Sequence, residues 1–130
     1  MKETKGFVNQ WYKPQVVINE VESDSEDVVT DWVEVYNVGS SDVDISGWYL
    51  FDNDPVGHAA DITPVAEGTS LAPGEFYTFE INKDFTFGLG KNDKVTVFSK
   101  DGVVIDEFEY TGHVDIRRNT SGEGGLLDDN

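Results

Sequence analysis

Short runs of alternating apolar and polar residues follow one another along most of the chain, broken by Gly, Pro, Asp and Asn. Gln15 to Glu22, QVVINEVE, is the first run with strand character, and an acidic loop, SDSEDVV, follows it. Asp31 to Val38, DWVEVYNV, predicts a second strand, with GSSD as its turn. Val43 to Asp52, VDISGWYLFD, predicts a third, bent at Ser46-Gly47 because glycine inside a strand marks a bulge. In FYTFEIN, Tyr77, Phe79 and Ile81 fall on one face and Phe76, Thr78 and Glu80 on the other, a period of two. KVTVFSK and VVIDEFEY flank Asp101-Gly102, a dipeptide that favours tight hairpins.

The segments between these runs are less regular. A long connection runs from Asn53 to Ser70, within which AADITPV predicts a short edge strand that tolerates Pro64. Pro73-Gly74 in LAPGE sets a type II turn, and DFTFGLG reads as a loop or short strand. No stretch sustains helical periodicity between caps, so any helix is limited to a single turn. The expectation is an all-β chain, an immunoglobulin-like β-sandwich of about seven to nine short, mostly antiparallel strands. Residues 1–14 form an N-terminal extension that can pack on the sandwich, 15–112 the domain, and 113–130 a tail or the start of a linker.

Composition sharpens this picture. A chain of 130 residues with three Trp, five Tyr and eight Phe can bury one hydrophobic core. The 26 acidic residues against 9 basic ones give a formal charge of −17, a field that repels phosphate backbones. Arg117-Arg118 is the sole basic pair of arginines and there is no basic stripe, so no nucleic-acid partner is expected. Cysteine is absent, which removes disulfides and thiolate chemistry. No run approaches the ~20 apolar residues of a membrane-spanning helix. The opening MKETKGFVNQWYKP has lysines but lacks the apolar core of a signal peptide.

Several segments in order resemble the lamin-tail domain, the immunoglobulin-like module of nuclear lamins that also occurs in many bacterial exported proteins. They are Ile18-Asn19-Glu20-Val21, Trp32-Val33-Glu34-Val35-Tyr36-Asn37 and Val43-Asp44-Ile45-Ser46-Gly47-Trp48-Tyr49-Leu50. Leu71-Ala72-Pro73-Gly74-Glu75-Phe76 is similar to the family's L-x-P-G-x-aromatic turn. Lys94-Val95-Thr96-Val97 and Gly102-Val103-Val104-Ile105-Asp106 resemble its final hairpin. The sequence is nearer to the bacterial branch than to the lamins. The resemblance implies a non-catalytic binding module, a tethering or recognition domain within a bacterial exported or surface multidomain protein. Its location would then be extracellular or at the cell surface as part of a longer chain, and its partner a protein or a cell-surface polymer.

Candidate chemistry is sparse. The two histidines, His58 and His113, lie in connecting segments, and no G-x-S-x-G, Walker or H-E-x-x-H motif is present, so an enzyme is not expected. Glu34 and Asn37 interrupt an otherwise apolar strand. A polar group there persists when it satisfies backbone donors of a neighbouring connection that lacks a ladder partner. Glu34 and Asn37 are therefore read as structural clamps, with Asn19 and Glu20 serving the first strand likewise.

No cofactor is expected; the one ion the sequence leaves open is Ca²⁺. Asp24, Glu26, Asp27, Asp52 and Asp54 supply hard oxygen ligands on two loops, though in no EF-hand pattern, and Asp42 and Asp44 form a third cluster. The simpler reading of this charge is solvation. These residues support the first alternative, a calcium-dependent adhesion or spacer domain. The second alternative is a glycan-binding module, because Trp11, Tyr12, Phe51, Phe98 and Tyr110 are not assigned to the core by pattern, whereas Trp32 and Trp48 are. Trp11-Tyr12 is the candidate ligand surface.

Overall fold

The computed structural model describes residues 15–23, 31–90 and 92–111, and the backbone of 115–117. Trp11, Tyr12, Asp24, Glu26, Asp27 and His113, singled out above, lie outside the described residues. Among the described residues there are nine strands and no helix. They are β1 (Val16–Glu22), β2 (Trp32–Asn37), β3 (Val43–Asp44), β4 (Tyr49–Phe51), β5 (Ser70–Leu71), β6 (Phe76–Glu80), β7 (Asn92–Phe98), β8 (Val104–Thr111) and β9 (Asp115–Arg117). One sheet has the order β6-β2-β1-β9 and a second the order β4-β7-β8, with β3 and β5 as a separate pair. Every strand pair is antiparallel. The architecture is the all-β immunoglobulin-like sandwich that the alternating pattern predicts.

The core lies between the two larger sheets. Val33, Val35 and Phe79 are fully buried from the first sheet, and Leu50, Val95 and Val97 from the second. β1 shows how the sequence adjusts its phase. Ile18 and Val21 both reach the core although three positions separate them, because the ladder with β2 shifts register between Ile18 and Glu20. That bulge at Asn19 rotates the second half of the strand by one side chain. The Ile18 amide at the bulge donates instead to Asp106 Oδ2 of β8 at 2.8 Å, which ties the two sheets along this edge.

The run from Val43 to Asp52, expected as one bent strand, is two strands in different sheets: β3 pairs with β5 and β4 with β7. The break comes at Ser46-Gly47. Gly47 has φ of +78°, a left-handed conformation that glycine adopts at little cost, and the Trp48 amide closes the turn on Ile45 O at 3.1 Å. A Cβ at Gly47 would also lie 2.9 Å from the Lys100 side chain. The predicted edge strand at AADITPV is reduced to an isolated bridge between Ile62 and Phe85, since Thr63 and Val65 bond out to Asp84 and Trp48 instead. Gly74, at φ +82°, occupies the third position of the Ala72–Glu75 turn, as a type II turn requires. The β7–β8 hairpin closes through Ser99–Val103, with Gly102 at φ +83°.

The free edge of β6 is guarded. Lys83 sits over the Tyr77 ring, 4.8 Å from its centroid, and its ammonium reaches Tyr77 Oη at 3.3 Å and Thr78 O at 3.5 Å. A lysine head on an exposed strand edge opposes pairing with a foreign strand.

Candidate functional site

Asn37 ends β2, and its buried side chain meets two segments, the turn after β2 and the strand β5. Its amide donates to Leu71 O at 2.7 Å and to Ser41 O at 3.0 Å, and its Oδ1 accepts from the Gly39 amide at 2.9 Å. Its backbone joins the Pro73-Gly74 turn through Glu75 O at 3.0 Å and the Gly74 amide at 2.8 Å. Glu34 is buried on the opposite face of β2 and accepts a 2.9 Å bond from Asn19 Nδ2. Glu20 is buried too and stands directly across the ladder from Glu34.

A second network, unforeseen in the sequence, holds the segment before β7. The Leu89 amide donates to Asp31 Oδ2 at 2.7 Å and the Gly90 amide to Asp93 Oδ2 at 2.7 Å. Ser23 Oγ and Tyr110 Oη each donate to Gly90 O at 3.1 Å. Asp93 also accepts from the Asn53 amide at 3.0 Å, so one carboxylate fixes both the approach to β7 and the exit from β4. Burial raises the Tyr110 phenol above its ordinary range and keeps it a donor. Asp84 acts alike beyond β6, taking the Glu80 amide and Tyr77 Oη, each at 2.9 Å. Local members of this set, such as Asp44 accepting the Ser46 amide at 3.0 Å, follow the Asx-turn spacing of two residues and are readable from sequence. The long-range members carry no such signal.

Asp52 and Asp54, placed above in the calcium set, are engaged with the chain itself. Asp52 Oδ1 accepts the Asp54 amide at 3.0 Å, and Asp54 Oδ1 the Gly57 amide at 3.1 Å. His58 bridges acids on either side, with Nε2 3.4 Å from Asp52 Oδ2 and Nδ1 3.0 Å from Asp61 Oδ2. Its ring lies 4.7 Å from that of Phe87. Among the described residues no three acidic or histidine side chains converge to hold a metal ion. Burial raises the Asp52 carboxyl above the usual carboxylate range, with the Asp93 charge adding to it. The bond to Asp61 raises His58, helped by the charges of Asp52 and Asp54.

The aromatics divide between core and surface. Trp48 and Tyr110 are buried in the core cluster, and Phe51, buried as well, backs two rings of the β4–β7–β8 face, while Trp32, expected to pack in the core, stays partly exposed at the start of β2. On the outer face of β4–β7–β8, Tyr49 stacks on Phe98 at 5.2 Å, and Phe51 meets both rings edge-on at 5.7 and 6.0 Å. Beside them runs a groove of about 240 Å³ with Phe51, Phe98, Pro55 and Val104 as its apolar lining. Asp52, Asn53, Lys94, Thr96 and Glu107 supply its polar lining. Val104 in this lining is exposed, as are its chain neighbour Val103 and, next to Pro55, Val56.

Over residues 10–112 the chain matches the family model described as Lamin Tail Domain. The chain belongs to the lamin tail domain family. No curated protein matches it. The segments whose order resembled this family map onto β1, β2, the β3–β4 crossover, the Pro73-Gly74 turn and the β7–β8 hairpin of the sandwich. Among the described residues no helix of this lamin tail domain is long and apolar enough to cross a membrane.

Two outcomes follow from these contacts. Asn37→Ala strands Leu71 O and the Gly39 amide and lowers stability by ~1–3 kcal/mol in urea melts; Glu34→Ala costs a similar amount and Glu34→Gln little, since glutamine keeps an acceptor for Asn19. Alanine variants as stable as wild type would contradict the clamp assignment. His58 has a folded pKa above its unfolded one, so its stabilising contribution is complete below the unfolded value and is lost as pH rises through the folded value. The midpoint difference between wild type and His58→Gln therefore shrinks as pH rises from below the ordinary histidine range to well above it, as read by thermal melts at fixed salt.

Proposed function

We propose that this lamin tail domain is a non-catalytic tethering or recognition module of a bacterial exported or surface protein with several domains. Its working surface is the outer face of β4–β7–β8, and its partner is a protein or a polymer of the cell surface. The observation that carries this reading is the half-buried, stacked pair of Tyr49 and Phe98, backed by the buried Phe51, beside an open groove lined by both polar and apolar groups. Clustered aromatics on a surface mark binding sites more often than solvated faces. The β6 edge favours this choice by elimination, because Lys83 opposes strand addition there.

In the same reading Asn19, Glu20, Glu34 and Asn37 serve the fold and not a ligand. Asp52 and Asp54, with their carboxylates bonded to loop amides, belong to the connection after β4 and not to a calcium site.

Retention of the purified domain on isolated bacterial envelopes tests the proposal. The wild-type chain is expected to be retained, and Phe98→Ala to weaken retention by about tenfold, the loss typical of a central interface aromatic. No retention, or equal retention of both forms, contradicts the assignment of this face.

A further inference from the structure

The groove on β4–β7–β8 also carries information about ligand chemistry. We infer that it binds a short neutral saccharide. This rests on the reading of that face as the working surface and goes beyond it by naming the ligand class.

A sugar ring presents apolar C–H faces and a hydroxyl-bearing edge. The groove offers a matching pair of surfaces. Phe98, Pro55 and Val104 provide apolar contact, and Lys94, Thr96 and Glu107 line the same space with donors and acceptors. Lys94 Nζ lies 3.4 Å from Glu107 Oε1, and Thr96 Oγ1 donates to that same oxygen at 3.4 Å. Both distances exceed the usual range of strong hydrogen bonds. An ammonium with three donors beside a carboxylate can give and accept at once, as pairs of vicinal hydroxyls demand. The two side chains are 44% and 50% exposed, so hydroxyls can reach them.

Charge and size narrow the ligand. Lys94 is met in the lining by both Glu107 and Asp52, and the whole chain stands at −17, which disfavours uronic-acid and phosphate polymers and equally a second copy of the chain. At about 240 Å³ the groove is smaller than the ~300–1,000 Å³ clefts of drug-sized ligands. The stacked Tyr49–Phe98 pair and the edge-on Phe51 hold the aromatic wall in place before binding, which lowers the ordering cost.

The test is an amide NMR titration of the whole chain with cellohexaose and with chitohexaose, run beside the envelope-retention assay. The expected result is saturable shifts confined to Phe51, Asn53, Thr96, Phe98 and Glu107, with a Kd of about 1 mM or tighter. Phe98→Ala weakens binding about tenfold. Glu107→Gln, a surface change that leaves folding intact, weakens it severalfold and provides the check should Phe98→Ala unfold. If neither sugar moves these amides while envelope retention still depends on Phe98, the saccharide inference falls and the working surface stands. If retention is also independent of Phe98, both fall. Sugar-induced shifts on another face overturn this site.

Discussion

Backbone donors in the connections and at the bulges and ends of strands in a small sandwich lack ladder partners, and in this domain acidic and amide side chains supply them. Leu89 and Gly90 donate to Asp31 and Asp93, Asn53 to Asp93, Ile18 to Asp106, and Glu80 to Asp84. An orphaned buried amide costs roughly 1–3 kcal/mol, so loss of the acceptor for the buried Leu89 amide alone is a sizeable share of the net stability of a domain. Two of these bonds, Leu89 to Asp31 and Ile18 to Asp106, also join segments that the sheets alone do not pair. Asp93 links the exit of β4 to the entry of β7, and Asp106 links the two sheets at the Asn19 bulge.

This changes the meaning of the composition. Asp31, Asp52, Asp84 and Asp93 are among the most buried polar residues of the chain and face inward to its own backbone. Part of the negative charge is thus structural, and the remainder solvates the exterior. What is left for a partner is set by the surfaces the charge does not cover. The outer face of β4–β7–β8 is such a surface, with its three aromatic rings and its Lys94–Glu107 pair, whereas the β6 edge is closed by Lys83.

The period of two made β1, β2, β6 and the Asp101-Gly102 hairpin legible, because each buries one face and exposes the other. The crossover at Ser46-Gly47 was misread as a bend within one strand. Glycine signals a break in either case, and which sheet receives Tyr49 to Phe51 depends on pairing with β7, a contact distant in sequence. Glu34 and Asn37 stood out as polar residues in an apolar run. Asp31 and Asp93 did not, since each sits beside ordinary turn residues and acts on an amide far along the chain or across a loop. The candidate groove was partly visible: Phe51 and Phe98 were marked as outside the obvious core, yet Lys94 and Glu107 become neighbours only through the β7–β8 register, where Thr96 stands opposite Glu107 and Lys94 opposite Glu109.

Side-chain oxygens hold the connections of this domain as firmly as the ladders hold the strands. Native-state amide hydrogen exchange measures this directly. The amides of Asn53, Leu89 and Gly90, which donate to side chains and not to a strand, are expected to be protected to a degree comparable with Val95 and Val97 in the centre of β7. Exchange of these three at the rate of the exposed loop residue Val56 would contradict it.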